Sequence, residues 1–349
     1  MPPIFLTLVG AMSLLLPVIA AAQTASEPDP LFQSSEILEI RIAAPFSTIM
    51  DERNPEEELE GTLQYTSEAG ELIEADIGIR ARGRFRMRKR VCEFAPLRLN
   101  FIKSQTKGSL FHKQDKVKLV THCEDNSKRY QQAVIREYIA YRIFNELTDL
   151  SFKTRLMLIT YIDTDGVDKE RTRYGFIVES DERLAKRADL KVMDRVSTWP
   201  GGLHSDYTTL VSLVHVLISN TDFSQVKGAE GECCHNQVLL GDTGDLLYSV
   251  PYDFDQSGLV NARHAAPNPR FRLANVRQRL YRGYCANNSH LDATIKHFQE
   301  RREAIFTVVN EQQELGDKER KSMLRYIERF YEIIESPRQK ERQLVKACI

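Results

Sequence analysis

Between residues 72 and 120 the chain keeps returning to a period of two. ADIGIRARG, PLRLNF and KVKLVT each alternate apolar with polar side chains. A pleated strand turns successive side chains to opposite faces, so this pattern suits a sheet with one dry face. In PLRLNF, Leu97, Leu99 and Phe101 share one face, with Arg98 and Asn100 on the other; in KVKLV, Lys116 and Lys118 fall together. EILEIRIA opens the series near residue 37, and the acidic run DERNPEEELEG (51–61) reads as a solvated loop.

The period then lengthens. SKRYQQAVIREYIAYRIFNEL (127–147) places Val134, Glu137, Tyr138 and Tyr141 at i, i+3, i+4 and i+7, on one helical face. An unpaired carboxylate in such a stripe is costly to bury, so a cationic partner is expected for Glu137. RLMLITYI and RYGFIVES read as two strands joined by the turn DTDG. After residue 180 helical patterns dominate. TTLVSLVHVLISN (208–220) is predicted to be a buried helix with His215 in its core, and NQVLL, GDTGD and LLYSV form a hairpin. The order predicts an α+β, two-lobed plan: a strand-rich N-lobe over 37–175 and a helix-rich C-lobe over 176–349. At 349 residues, 42% hydrophobic, the chain can bury the core this needs.

Residues 1–22 carry no charged side chain and end in Ala20-Ala21-Ala22. That is the pattern of a secretory signal peptide, followed here by a polar linker over 23–36. The protein is therefore expected to be exported, to the periplasm or beyond. Membrane contact is expected only if this segment stays uncleaved. An even set of six cysteines favours disulfides in that setting. Cys92 with Cys123, and Cys233 or Cys234 with Cys285, are the pairs expected first. Lys+Arg of 48 against Asp+Glu of 49 argues against a nucleic-acid partner, which would demand excess positive charge.

Chemistry concentrates in SNTDFSQVKGAEGECCHNQ (219–237) and PYDFD (251–255). The predicted hairpin brings Asn236 close to Asp253, and Asp222 reaches the same space. A carboxylate with an amide oxygen is a hard-oxygen set suited to Mg²⁺, which takes further ligands from water and phosphates. A third carboxylate can orient an attacking hydroxyl. This is the division of labour of phosphoryl transfer, with Asp222 catalytic and Asn236 and Asp253 on the metal. Asp255 reads equally as a further metal ligand or as a partner for a backbone amide, and Asn220 as a brace for the loop. Lys118 precedes the helix bearing Glu137, the arrangement of a Lys–Glu pair that positions phosphates. Adjacent Cys233 and Cys234 lack the spacing of a zinc knuckle, so a disulfide is expected, with His235 in a supporting role. In RARGRFRMRKR, Arg82 and Gly83 approach phosphate oxygens or form a solvated strand edge. Arg263, Arg270, Arg272, Arg277, Arg279 and Arg282 either receive an acidic or phosphorylated substrate or coat a surface loop.

ISNTDFS, then HN, then VPYDFD resemble the motif series of HipA-type atypical kinases, and more closely that of the spore-coat-protein-H (CotH) kinase family. IRARGRFR, PLRLNF, the stretch from KLVTHCED to RIFNEL, and RYGFIVESDERLAKR are similar to further segments of that family, over roughly residues 75 to 260. The resemblance implies a compact protein-kinase-like fold and transfer of the γ-phosphate of ATP, with Mg²⁺ or Mn²⁺, to Ser or Thr of a secreted protein. It implies Asp222 as the catalytic residue, Asn236 and Asp253 as metal ligands, and Glu179 at the adenine side. The chain departs from the family in a longer insertion between Asp222 and His235, in Tyr252 where a Trp is usual, and in Arg98 where a Lys is usual. The phosphate-contacting cation therefore stays open among Lys118, Arg98 and Arg82. The same parts suit transfer of AMP or a small-molecule acceptor. From another class, a catalytically silent module presenting a peptide groove would keep the frame alone.

Overall fold

The computed structural model describes residues 27–125, 127–228 and 233–349. The candidate signal peptide lies outside them. The alternating segments form β1 (Leu38–Ala44), β2 (Leu59–Thr66), β3 (Leu72–Ala81), β4 (Leu97–Phe101) and β5 (Lys116–Val120), with helix α1 (Phe46–Glu52) after β1. Helix α2 (Lys128–Leu147) follows, capped by the Ser127 side chain accepting from the Arg129 N–H. Then come β6 (Thr154–Asp163) and β7 (Arg171–Val178).

These strands close into one barrel in the order β1-β2-β3-β4-β5-β7-β6. The closing step is a parallel pairing of β1 with β6, from Leu38 opposite Met157 to Ala44 opposite Asp163; the other neighbours run antiparallel. Closure removes the unpaired edges that an open sheet would leave. Residues such as Ile42, Ile79, Leu99, Leu119 and Ile159 fill the interior. The intervening residues of β5 to β7 face outwards, where Val120, Leu156, Phe176 and Val178 join the helical core.

That core holds α2, α4 (Ser205–Ile218), and later helices including α7 (Asp317–Glu335). To complete the order, α3 (Asp181–Arg187) follows β7. Strand β8 (Lys191–Val192) joins the hairpin β9 (Gln237–Gly241) and β10 (Tyr248–Pro251) as a small sheet, and α5 (Leu291–Glu300) and α6 (Arg302–Glu311) precede α7. The two-lobed protein-kinase-like plan is therefore corrected. The strands close a seven-stranded mixed barrel instead of an open strand-rich lobe. The helices share a continuous core with the barrel's outer face instead of forming a lobe of their own. Near the start of the described chain, Leu31 and Phe32 are buried, and Asp29 accepts bonds from Gln114 and Arg183, so this end of the expected linker is docked.

Among the described residues no helix is long and apolar enough to cross a membrane. Disulfides join Cys92 to Cys123, Cys233 to Cys234 and Cys285 to Cys348, a set suited to an oxidising compartment. The expected bond from Cys285 to Cys233 or Cys234 is replaced because the C-terminus returns beside residues 283–285. The Cys285 N–H donates to Ile349 O and the Ile349 N–H to Gly283 O, which brings Cys348 alongside Cys285. The Cys285–Cys348 loop spans 63 residues. Paired Cys→Ser substitution there should cost about 4 kcal/mol in the chain-entropy limit, read by denaturant unfolding.

Candidate active site

Helix α4 ends in a left-handed Ser219 (φ 53°), and its chain turns sharply into Asn220-Thr221-Asp222. Asn220 is fully buried, and its Oδ1 accepts from the Asp222 N–H at 2.9 Å. Arg282 grips the same turn from outside. Its guanidinium donates to Phe223 O at 2.7 Å and Thr221 O at 3.4 Å, and it lies against the rings of both Phe223 and Phe271. Ser219 Oγ donates to the carbonyls of Val276 and Gln278. The loop bearing Asp222 is thus held by buried polar groups on both sides, which orients a carboxylate better than a free surface loop does.

The hairpin does what its pattern predicts. β9 and β10 pair up to Gln237 opposite Pro251, and the Tyr252 N–H donates to Asn236 O at 3.1 Å. Asn236 and Asp253 leave the two strand ends with φ of 53° and 62°. This left-handed region is uncommon outside glycine, though Asn and Asp visit it most readily, and such residues gather at functional sites. Asn236 Nδ2 donates to Asp222 O at 2.7 Å and to Asp222 Oδ2 at 3.2 Å. Among the described residues no protein donor reaches Asn236 Oδ1, so this oxygen is open to a cation. His235 Nε2 meets Asp222 Oδ1 at 2.8 Å, and that hydrogen bond raises the His235 pKa.

Helix α2 contributes two groups. Tyr141 OH accepts the Asp253 N–H at 2.8 Å, which fixes the residue's backbone. One turn earlier Glu137 is buried, and burial with Asp255 and Asp253 nearby raises its pKa well above the usual range. Asp253 is pushed up to about 6 by burial and by Asp255, against the pull of Arg82 and Arg86. Asp255 is also buried, but its His264 partner, 2.8 Å from Oδ2, outweighs burial and lowers its pKa. Among the described residues these carboxylates do not converge as a ready three-ligand cage. Two protein oxygens, from Asn236 and Asp253, suit a cation that takes the rest of its shell from phosphates and water. Cys92, Cys123 and His264 do lie within 4.8 Å of one another, but a disulfide occupies both sulfurs.

The Lys118–Glu137 pair is not formed. Lys118 Nζ bonds Asp181 Oδ1 at 3.0 Å and lies 4.4 Å from the Tyr252 ring centre. The cation expected beside Glu137 is instead Arg86, whose Nη2 also donates to Thr121 O. The reason is register. Lys118 lies on the barrel's outer face, cross-strand from Arg98 on one side and Val178 on the other, and the chain after Val178 leads to Asp181.

Register also exposes a feature missed in the sequence. Arg80 pairs with Arg98, and Arg98 with Lys118, so three cations stand in a row across β3, β4 and β5. Like charges directly opposite destabilise a sheet. Two of the three are relieved, Arg80 by Glu58 at 3.5 Å and Lys118 by Asp181. Arg98 Nε is buried, and among the described residues it has no hydrogen-bond partner. Just past the end of β3, Arg82 lies in the field of Asp253, Tyr252 and Tyr141, and burial lowers its pKa. Period-two alternation does place Arg80, Arg98 and Lys118 on polar faces, but only pairing lines those faces up.

Among the described residues Glu179 bonds none of the acid–amide groups. It is buried at the end of β7, bonded by Arg187 Nη2 to Oε2 at 2.9 Å and Nε to Oε1 at 3.1 Å. The Lys153 N–H donates to it as well. A cavity of about 950 Å³ between the ends of α2, α3, α4 and α5 is lined on this side by Arg187, and none of the acid–amide groups lines it.

No protein family model matches the chain. No curated protein sequence matches it either.

Proposed function

We propose that the chain is an exported, ATP-dependent phosphotransferase acting on a Ser or Thr hydroxyl of a secreted protein. The observation that carries this reading is the junction of a cationic row with an acid–amide centre. Arg80, Arg98 and Lys118 cross the barrel face and end at Tyr252, next to Asp253, while Asn236 lies beside Asp222 with an oxygen that no donor among the described residues reaches. The row suits a chain of phosphates, and Arg98 Nε, without a partner among the described residues, is a donor that such an acceptor would satisfy. The oxygen donors suit Mg²⁺ or Mn²⁺, which when bound would neutralise phosphate charge. Nothing in this reading requires the kinase-like fold, because function resides in the site.

In this scheme Asn236 and Asp253 hold the metal, and Arg98 and Arg82 face the phosphates. Asp222 orients the acceptor hydroxyl. The hydroxyl oxygen bonds to the γ-phosphorus, the bond to ADP breaks, and the proton passes to Asp222. His235 and Asn236 steady that carboxylate, and most of the rate gain would come from positioning and charge neutralisation. The disulfides and the leader pattern of residues 1–22 support export.

Thermal unfolding with ATP tests this, with and without Mn²⁺; metal-dependent stabilisation is expected, and its absence would count against the reading. Transfer of γ-label marks the proposed reaction, whereas transfer of α-label would mark AMP transfer. In the same titration Arg82→Ala should weaken nucleotide affinity more than Lys118→Ala, since Lys118 already has a carboxylate partner. Asp253 adds a pH signature. With its carboxyl raised to about 6, metal competes with a proton, so the Mn²⁺ affinity seen by calorimetry should fall roughly tenfold per unit below pH 6 and level off above it.

A further inference from the structure

The chain from Gln256 to Leu291 contains no Asp or Glu, yet it holds Arg263, Arg270, Arg272, Arg277, Arg279 and Arg282. In a protein of net charge −1 this is a local excess of positive charge. The structure divides these arginines by task. Arg277 and Arg279 lie over the Tyr326 ring, and Arg279 also donates to Val216 O. Arg282 holds the turn bearing Asp222. These three brace the loop. Arg270 and Arg272 are exposed, and among the described residues neither has a carboxylate partner.

Their position is set by the ring between them. The Arg282 guanidinium lies 4.6 Å from the ring centre of Phe271 and 4.4 Å from that of Phe223, the neighbour of Asp222, so it bridges the two. The short helical turn Pro269–Phe271 is therefore clamped to the loop that carries Asp222, with Arg270 and Arg272 flanking the clamp. The Arg282 charge feels both Arg270 and Asp222. Two exposed guanidinium groups on a turn packed against this loop attract anions and repel cations, and Arg pairs readily with carboxylates.

We infer that Arg270 and Arg272 form a recognition surface for an acidic acceptor segment, a peptide with Asp or Glu beside its Ser or Thr. The placement of the acceptor rests on the phosphotransferase reading, but the charge preference does not require catalysis. Binding is therefore measured directly, on the full chain, by fluorescence anisotropy with two labelled peptides. Both carry one Ser, flanked in one by Glu and in the other by Lys. At low ionic strength the Glu peptide should bind roughly five- to tenfold more tightly, and the margin should shrink with added salt. Arg270→Glu/Arg272→Glu should erase or reverse the preference, and Arg270→Gln/Arg272→Gln should reduce it. Arg263→Glu, one such charge reversal on another exposed residue of this stretch, should leave it intact. Equal binding of the two peptides, or a preference that survives Arg270→Glu/Arg272→Glu, overturns the inference. A preference that follows these arginines while no phosphate is transferred upholds the surface and counts against the phosphotransferase reading.

Discussion

Asp253→Ala is expected to abolish Mn²⁺-dependent stabilisation by ATP and to reduce phosphate transfer by roughly a thousandfold, the scale on which loss of one preorganised charge-stabilising group is felt. Asp222→Ala should lose transfer to a similar extent but keep the metal-dependent stabilisation, because Asp222 is assigned to the acceptor. The two variants therefore separate metal binding from hydroxyl orientation. If both retain transfer, the proposed centre is wrong. If both lose stabilisation, Asp222 belongs to the metal site. Neither variant should unfold the protein. The Asp253 carboxyl is raised above its value in an unfolded chain, so the folded state favours the protonated form. That contribution is complete below about pH 4 and is lost as the pH climbs through about 6. At pH 7 without metal, removing Asp253 takes away an unfavourable charge, and the variant should unfold at or above the temperature of the parent.

The second large effect concerns stability. Glu179 and Arg187 are buried to 2% and 4% side-chain exposure, and each has further backbone partners. Removing one partner of a buried pair leaves an uncompensated charge, so Glu179→Leu or Arg187→Leu alone should cost about 3–5 kcal/mol. Together they should cost much less than the sum, and the double-mutant cycle by denaturant unfolding measures that coupling. A cost below about 1 kcal/mol for either single change would show that the pair is not structural. Nucleotide titration of Glu179→Gln tests the other role. Loss of ATP affinity with intact stability would restore Glu179 to the adenine side, whereas loss of stability alone fits the pair seen here.

Much of the site was legible because it is built from local features. A hairpin joins its own ends, so the sequence pattern placed Asn236 beside Asp253 before any tertiary information. Asn220, two residues from Asp222, could be read as a brace. Tyr141 falls on the same helical face as Glu137, one turn on, and that spacing is the signal that it reaches the same centre. Arg282 carried no such signal. Its grip on Thr221 and Phe223 joins segments far apart in the chain, and nothing near residue 282 marks it off from the neighbouring arginines.

By itself the sequence determined the periods and the turns. Alternation over residues 72–120 required strands, the apolar stripe of 127–147 required a packed helix, and the carboxylates around Asp222 and Asp253 supplied hard-oxygen chemistry. These follow from near neighbours along the chain. Tertiary structure alone decided which strands met. Parallel pairing of β1 with β6 closed the barrel and overturned the two-lobed plan, cross-strand register aligned Arg80, Arg98 and Lys118, and the returning C-terminus gave Cys285 its partner. Strand faces and side-chain charges are local properties. The choice of a distant partner is made by burial and hydrogen-bond satisfaction over the whole chain, and no short window of sequence encodes it.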